Sequence, residues 1–195
     1  MNISVASCKE IFKAHYGKAL KASNRELSGT YEVYGSSGSV GKHNSFLIDE
    51  PTIVIGRKGS VGEIVYAPEG GWIIDTAFFI ELIDKQKCDL RYLYYALKNA
   101  NLSFLTISTS IPGLNRDDLY DTKIFLPPLE EQKRIAAILD KADAIRRKRQ
   151  QAIDLTDQLL RSVFLELFGD PVTNPKGWKK IALQNVVSEV IDCPH

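Results

Sequence analysis

Leu126-Pro127-Pro128-Leu129-Glu130-Glu131-Gln132 opens a run, residues 129–168, that contains neither glycine nor proline and is closed by Gly169-Asp170-Pro171. Two prolines fix an extended approach and cannot continue into a helix interior, while Glu130 and Glu131 suit the positive end of a helix dipole. Gly169 and Pro171 supply a C-terminal stop. The spacing predicts one helix of roughly 60 Å, at about 1.5 Å per residue. That is longer than one small core can bury, so the helix is a spacer, a pairing surface, or both.

Apolar spacing favours pairing. Counted in sevens, one row reads Ile135, Ala142, Arg149, Thr156, Val163, and its companion Ile138, Ile145, Ala152, Leu159, Glu166. The first four of the companion row are apolar, as a coiled-coil seam requires. Arg149 and Thr156 interrupt the other row, and Leu139, Ile153, Leu160 and Leu167 form a flanking stripe, so the seam drifts. Ile135, Ile138, Ala142, Ile145, Ala152, Leu159 and Val163 are the candidate pairing residues. The plainer alternative is a long helix lying on its own globular domain.

Upstream of the helix the chain reads as one mixed α/β domain. Residues 5–16 suggest a helix of about three turns, and residues 30–34 a short strand. Thr52-Ile53-Val54-Ile55, Glu63-Ile64-Val65-Tyr66, Trp72-Ile73-Ile74 and Ala77-Phe78-Phe79-Ile80-Glu81-Leu82 are β-branched and aromatic runs cut by glycines, which predicts strands. Residues 90–99 form an amphipathic helix, and Thr122-Lys123-Ile124-Phe125-Leu126 closes with a strand. The fold class expected is α+β, a globular mixed domain followed by one long coiled-coil-type helix.

Composition excludes several classes. With 44% hydrophobic and 25% charged residues among 195, the chain is ordinary globular material of one domain plus an appendage. No apolar run reaches membrane-span length, and the first residues lack the charged and greasy parts of a signal peptide. Cys8, Cys88 and Cys193 have no metal-ligand spacing, which suggests free thiols in a reducing compartment, with the cytoplasm expected. Net charge is +1, so no global basic surface exists. Residues 1–60 carry eight Lys/Arg against five Asp/Glu, residues 61–129 six against nine, and residues 130–170 eight of each. Any DNA-facing surface is local, and the first sixty residues are where it is expected.

One tetrapeptide occurs twice, at Gly38-Ser39-Val40-Gly41 and Gly59-Ser60-Val61-Gly62, beside Lys42 in the first case and Arg57-Lys58 in the second. Glycines permit close backbone approach, and serine hydroxyls with free N–H groups can meet phosphate oxygens. The alternative is two hairpin turns without a ligand.

Catalytic patterns are missing from the sequence. The P-loop spacing fails because Ser36 takes the first glycine position and His43 the last, and no strand–GxGxxG–helix unit is evident. Leu126-Pro127-Pro128-Leu129 lacks the polar first and aromatic last residues of an amino-methyltransferase loop. His15, His43 and His195 are too dispersed for a metal set, with His15 expected on a helix face. A Cys8/His15 nucleophile pair has no third group. Asp117-Asp118 and Glu130-Glu131 suit helix starts.

These residues resemble the DNA-specificity (S) subunits of type I restriction-modification systems. The resemblance rests on residues 34–41, residues 55–62, Ile111-Pro112-Gly113-Leu114-Asn115, and Leu126-Pro127-Pro128-Leu129-Glu130-Glu131-Gln132-Lys133-Arg134-Ile135. Leu167-Phe168-Gly169-Asp170-Pro171 with Gly177-Trp178 looks like the junction where that family's second half begins, and residues 178–187 echo the pattern of residues 3–11. The resemblance implies two target-recognition domains joined by two antiparallel helices, each domain reading half of a split DNA target. It implies a non-catalytic subunit that reads double-stranded DNA and scaffolds modification (methyltransferase) and restriction subunits. It also implies that S-adenosylmethionine, ATP and Mg belong to those partners, with no cofactor on this chain.

The organisation expected is a target-recognition domain over 1–128, a spacer and dimerisation helix over 129–169, and over 170–195 a linker with the start of a second recognition domain. That second domain and second helix do not appear within the 195 residues; in one reading two copies pair as a homodimer through the helix to rebuild a two-domain reader, and in the other the chain is one half of a longer subunit. Candidate phosphate and base contacts are Lys18, Lys21, Lys42, Arg57 and Lys58, with Tyr34, Ser36, Ser37, Ser39, Asn44 and Ser60 as hydrogen-bonding partners. The segment Thr106-Ile107-Ser108-Thr109-Ser110 with Asn115-Arg116 closes the reading surface. The basic run Arg146-Arg147-Lys148-Arg149 is read as an acid-paired helix face, with Asp140 and Asp143 as partners. The rival reading is a coiled-coil adaptor whose α/β head binds a protein rather than DNA.

Overall fold

The computed structural model describes residues 4–26, 28–106, 113–182 and 185–187. The chain divides into two compact units, Met1–Lys141 and Ala142–His195.

In the first unit the chain opens with β1 (Ser4–Ser7), a single turn α1 (Cys8–Ile11) and β2 (Phe12–Tyr16). The three-turn helix expected over 5–16 does not form. The Ser7 N–H donates to the Glu10 carboxylate at 2.9 Å, which starts a helix, but Phe12 is already extended at φ −146° and ψ 160°. Pairing of Phe12 through Tyr16 with residues 78–82 outweighs a weak local helix preference. His15 therefore lies on a strand, not a helix face, and bonds Glu81 at 3.1 Å.

The hairpin β3 (Tyr31–Gly35) and β4 (Gly38–His43) is followed by β5 (Thr52–Gly56), β6 (Ile64–Ala67), β7 (Trp72–Ile73) and β8 (Ala77–Leu82). Helices α2 (Leu90–Ala100) and α3 (Arg116–Asp121) precede β9 (Lys123–Leu126) and α4 (Leu129–Phe168). Three sheets result: β1 with β9, β2-β8-β5-β6, and β4-β3-β7. All pairs are antiparallel except β3 with β7. The α+β class with one long helix is the one expected.

β5 is buried at every position, because both faces of its sheet are covered. Ile53 and Ile55 pack into a core with Phe12, Phe78, Leu93 and Leu97. Val54 faces a second cluster with Tyr34, Ile73 and Ala77. Buried Thr52 exchanges hydrogen bonds with Ile80, its hydroxyl donating to the carbonyl at 2.7 Å. α2 starts at Asp89, whose carboxylate accepts from the Tyr92 N–H at 2.8 Å. Asn115 starts α3 in the same way, accepting from the Asp117 N–H at 3.2 Å.

The first turns of α4 belong to this unit. Gln132 is fully buried, its amide donating to the Pro127 and Lys87 carbonyls at 2.8 and 2.9 Å and accepting from the Asp89 N–H at 2.9 Å. Two turns further on, Asp140 accepts from Arg91 at 2.6 Å and from the Tyr95 hydroxyl at 2.7 Å. The Arg91 guanidinium also lies over the rings of Tyr66, Tyr94 and Tyr95. Burial opposes its charge, but the hydrogen bond and charge of Asp140 outweigh that and raise its pKa above the ordinary value.

In the second unit, α4 runs on to Phe168 and Gly169 turns the chain at φ +78°. The carbonyls left open at the helix end are closed by side chains. Lys176 donates to Leu167 at 2.8 Å and also to Glu166, and the Trp178 indole donates to Phe168 at 2.7 Å.

Candidate nucleic-acid interface

The strand pairings bring several loops to one end of the four-stranded sheet. Tyr16 sits opposite Phe78, and Gly56 sits opposite Ala77, so the segments after Tyr16 and after Gly56 leave the sheet together. The Arg57 and Lys58 N–H groups both donate to the Thr76 carbonyl, at 2.9 and 3.0 Å. Lys58 bridges to Gly113, and the Leu114 N–H donates to the Arg57 carbonyl at 2.9 Å. Arg116 follows two residues later. The hairpin turn at Ser36-Ser37 joins them: a Cβ on Gly56 would lie 2.7 Å from the Ser36 carbonyl, and one on Gly59 3.5 Å from its hydroxyl.

Side chains converge as well. The Arg57 guanidinium carbon lies over the Tyr16 ring, 5.0 Å from its centroid, and Arg116 lies over the same ring at 5.4 Å. Arg57 donates to the Asp75 carbonyl at 3.1 Å. Lys58, Ser60 and Ser37 are exposed, and Ser36 is half-buried. Lys18, two residues beyond Tyr16, is exposed and anchored by its own backbone, its N–H donating to Ile73 and its carbonyl accepting from the Trp72 indole.

Several cations elsewhere are held by the protein's own acids, while others, Lys13 and Lys21 among them, are not. Lys42, Lys85, Arg91, Lys133, Arg134, Arg146 and Arg147 each have a carboxylate within ion-pair distance. Among the described residues, Lys18, Arg57, Lys58 and Arg116 have none.

Other candidates fall elsewhere. Tyr34 is 7% exposed and belongs to the core. Burial and the charges of Glu32 and Glu69 raise its hydroxyl pKa, which keeps it protonated, but its low exposure leaves little of the side chain to face a groove. Lys42 pairs with Glu32 at 3.7 Å, and the Ser39 hydroxyl donates to the same residue. Asn44 donates to Glu26 and accepts from the Thr30 N–H. Lys42 and Asn44 lie at the far end of the β3–β4 hairpin from the Ser36-Ser37 turn, about 17 Å or more away at about 3.4 Å per residue. Lys21 precedes a 3-10 turn over Ala22–Asn24 and takes part in none of the hydrogen bonds or ring contacts that join the cluster. Ser110 lies outside the described residues, as do Ile111, Pro112 and His195.

The repeated tetrapeptide also splits. Gly59-Ser60-Val61-Gly62 is a turn, whereas Gly38 to Gly41 lie within β4, because the two-residue turn ahead of them closes the hairpin. Gly62 must be glycine: φ is +76°, and a Cβ would lie 2.4 Å from the Ser103 nitrogen.

Two residues at this end have no signal in the sequence reading. Tyr16 is assigned there to a helix, and Tyr120, whose ring Arg116 also approaches at 5.9 Å, sits in a segment read only for its acids. On α4, Arg146 and Arg147 pair with Asp143 at 2.9 and 3.2 Å. Asp140 is taken by Arg91 and is not their partner. Of the pairing row, Ile135 is half-buried, and Ile138, Ala142, Ile145, Ala152, Leu159 and Val163 are exposed in the single chain.

Among the described residues no group of three or more His, Cys, Asp or Glu is arranged to hold a metal. Cys8 and Cys88 are buried, and burial pushes both thiols up to about 12, so neither forms the thiolate that a nucleophile needs. No helix of the described residues is long and apolar enough to cross a membrane.

Comparison with known proteins follows the same line. A profile of the type I restriction modification DNA specificity domain matches residues 2–155. The chain is 30% identical over 140 residues to the type I restriction enzyme MjaVIII specificity subunit of Methanocaldococcus jannaschii, covering 71% of this chain and 33% of that one. It is 29% identical over 141 residues to the EcoprrI specificity subunit of Escherichia coli, covering 70% and 35%. The fold matches the crystal structure of the type I S subunit from M. genitalium with a TM-score of 0.69 at 23% identity, over 86% of this chain and 46% of that one. The chain thus spans a third to a half of the length of these relatives. With the profile covering most of its residues, the chain belongs to the type I restriction-modification DNA specificity family.

Proposed function

We propose that this chain reads double-stranded DNA as one half of a type I specificity subunit and scaffolds the methyltransferase subunits. The observation that carries this is the convergence of Lys18, Arg57, Lys58 and Arg116, cations without carboxylate partners, beside the serine-bearing turns 36–37 and 59–62. Cations left unpaired by the protein's own acids suit phosphates, and serine hydroxyls with backbone N–H groups suit phosphate and base edges. A protein-binding adaptor gives no reason for that convergence. In this reading the chain selects sequence, S-adenosylmethionine serves the modification subunits, and ATP and Mg serve the restriction subunit.

The test is DNA binding by the chain assembled with its modification subunit. Arg57→Ala with Lys58→Ala is expected to weaken binding at least tenfold at low salt. The slope of log affinity against log salt should fall by up to about 2 if both side chains meet phosphate. Unchanged binding would remove this end as the interface.

The exposed row of α4 is proposed to pair with a second helix, which for this chain on its own is that of a second copy. Burying the exposed part of Ile145 and Leu159, 53% and 63% in the single chain, favours association by roughly 1–2 kcal/mol per side chain. Ile145→Asp with Leu159→Asp should convert a dimer to a monomer by light scattering. An unaltered mass would eliminate this seam.

A further inference from the structure

We propose that Tyr16 is a positioning residue that holds Arg57 and Arg116 in fixed orientations, so that the two guanidiniums read guanine at separate positions of the target. The inference rests on the DNA-reading function above and specifies which side chains discriminate bases. Tyr16 ends β2 and is 49% exposed, yet its ring is fixed from behind by fully buried Phe78, with centroids 4.9 Å apart. Arg57 lies over both rings, at 5.0 Å from Tyr16 and 5.8 Å from Phe78. Arg116 lies over Tyr16 at 5.4 Å and Tyr120 at 5.9 Å.

Two like charges gathered on one ring repel each other. The negative face of the aromatic ring offsets part of that repulsion. Among the described residues the donors of the two guanidiniums are only partly filled. Arg57 uses one guanidinium nitrogen on the Asp75 carbonyl, and the Arg116 Nε is buried with no hydrogen-bond partner. The buried Nε is closed to an outside ligand, so an acceptor from outside the chain would meet the terminal nitrogens of the two groups. Guanine N7 and O6 fit, because a planar fork held at a fixed angle matches their paired geometry. A phosphate needs no such fixing, and Lys58 and Lys18 stand nearby for that purpose. Both guanidiniums lie within 5.4 Å of one ring centroid, so the positions they read are no more than about three base-pair steps apart, at about 3.4 Å per step.

The experiment is selection from a random-sequence duplex library by the full chain assembled with its modification subunit. Wild type and Tyr16→Phe, which keeps the ring, are expected to enrich one motif containing guanine. Tyr16→Leu should lose preference for guanine by about tenfold at one or both positions, while binding to non-specific duplex stays the same. Arg116→Lys keeps the charge without the fork and should lose preference at one of those same positions. An unchanged motif in Tyr16→Leu, a uniform loss across all sequences, or retained preference in Arg116→Lys overturns the proposal while leaving DNA reading intact. No enriched motif from wild type would instead sink the DNA-reading function itself.

Discussion

Replacing Gln132 by leucine is expected to destabilise the head by about 3 kcal/mol. Its side chain is fully buried, and its amide ties the start of α4 to the turn at residues 87–89 and to Pro127. Leucine fills similar volume but leaves the Asp89 N–H and the Lys87 and Pro127 carbonyls without partners, at about 1–3 kcal/mol for each group that water does not reach. Urea unfolding followed by Trp72 fluorescence in a Trp178→Phe background should show the midpoint falling by roughly 1–2 M with an unchanged slope.

Glutamate at the same position separates hydrogen bonding from shape. Two of the three partners are carbonyl oxygens, which repel a carboxylate, so the carboxyl's pKa in the folded state lies above its unfolded value of about 4.3. The ionisation penalty is absent below the unfolded value, grows as pH rises between the two, and is complete above the folded one. At neutral pH the glutamate variant should therefore be less stable than the leucine variant, and the gap should close on acidification. Equal stability of glutamate and glutamine at pH 7 would show that the amide does not use its N–H groups as described.

Gly56→Ala is expected to cost about 2–4 kcal/mol and to abolish DNA binding out of proportion to that loss. An added Cβ would sit 2.0 Å from the Ser60 carbonyl oxygen and 2.7 Å from that of Ser36. Both are main-chain atoms, so no side-chain rotation relieves the clash. The Gly62 N–H to Gly56 carbonyl bond, 2.8 Å long, closes the same loop and must stretch when it moves. Thermal melting gives the stability term, and fluorescence anisotropy with a duplex gives binding at a temperature where the variant remains folded. Full affinity in a folded variant would mean that the loop 57–62 is not part of the interface.

Sequence alone reveals much of this fold, for reasons that are local. β5, β8 and α2 have strong apolar patterns with clear boundaries, and α4 has prolines before it and glycine after it. Residues 5–16 mislead because their partner strands are distant in sequence, β9 for residues 5–7 and β8, more than sixty residues away, for residues 12–16. Nothing in the sequence marks Gln132 as buried, since two of its three partners are 43 and 45 residues distant. The candidate site divides the same way. Arg57, Lys58 and Ser60 announce themselves beside a glycine turn, but the arrival of Tyr16, Ser36 and Arg116 depends on strand pairing. Lys42 and Asn44 look equally available in the sequence, and only the β3–β4 register shows them engaged with Glu32 and Glu26. Tyr34 resembles a polar ring beside a turn, yet its register buries it.

The loops at the charged end are fastened chiefly through main-chain atoms: Arg57 and Lys58 to Thr76, Leu114 to Arg57, Gly62 to Gly56. Such fastenings do not depend on which side chains the residues carry. Substitutions at the exposed positions 58, 60 and 37 can therefore accumulate without loosening the scaffold, as long as the glycines beneath them stay. The head is built like a keyring, with a fixed hoop and exchangeable teeth, so a lineage could acquire a new target while keeping its core and its helix unchanged.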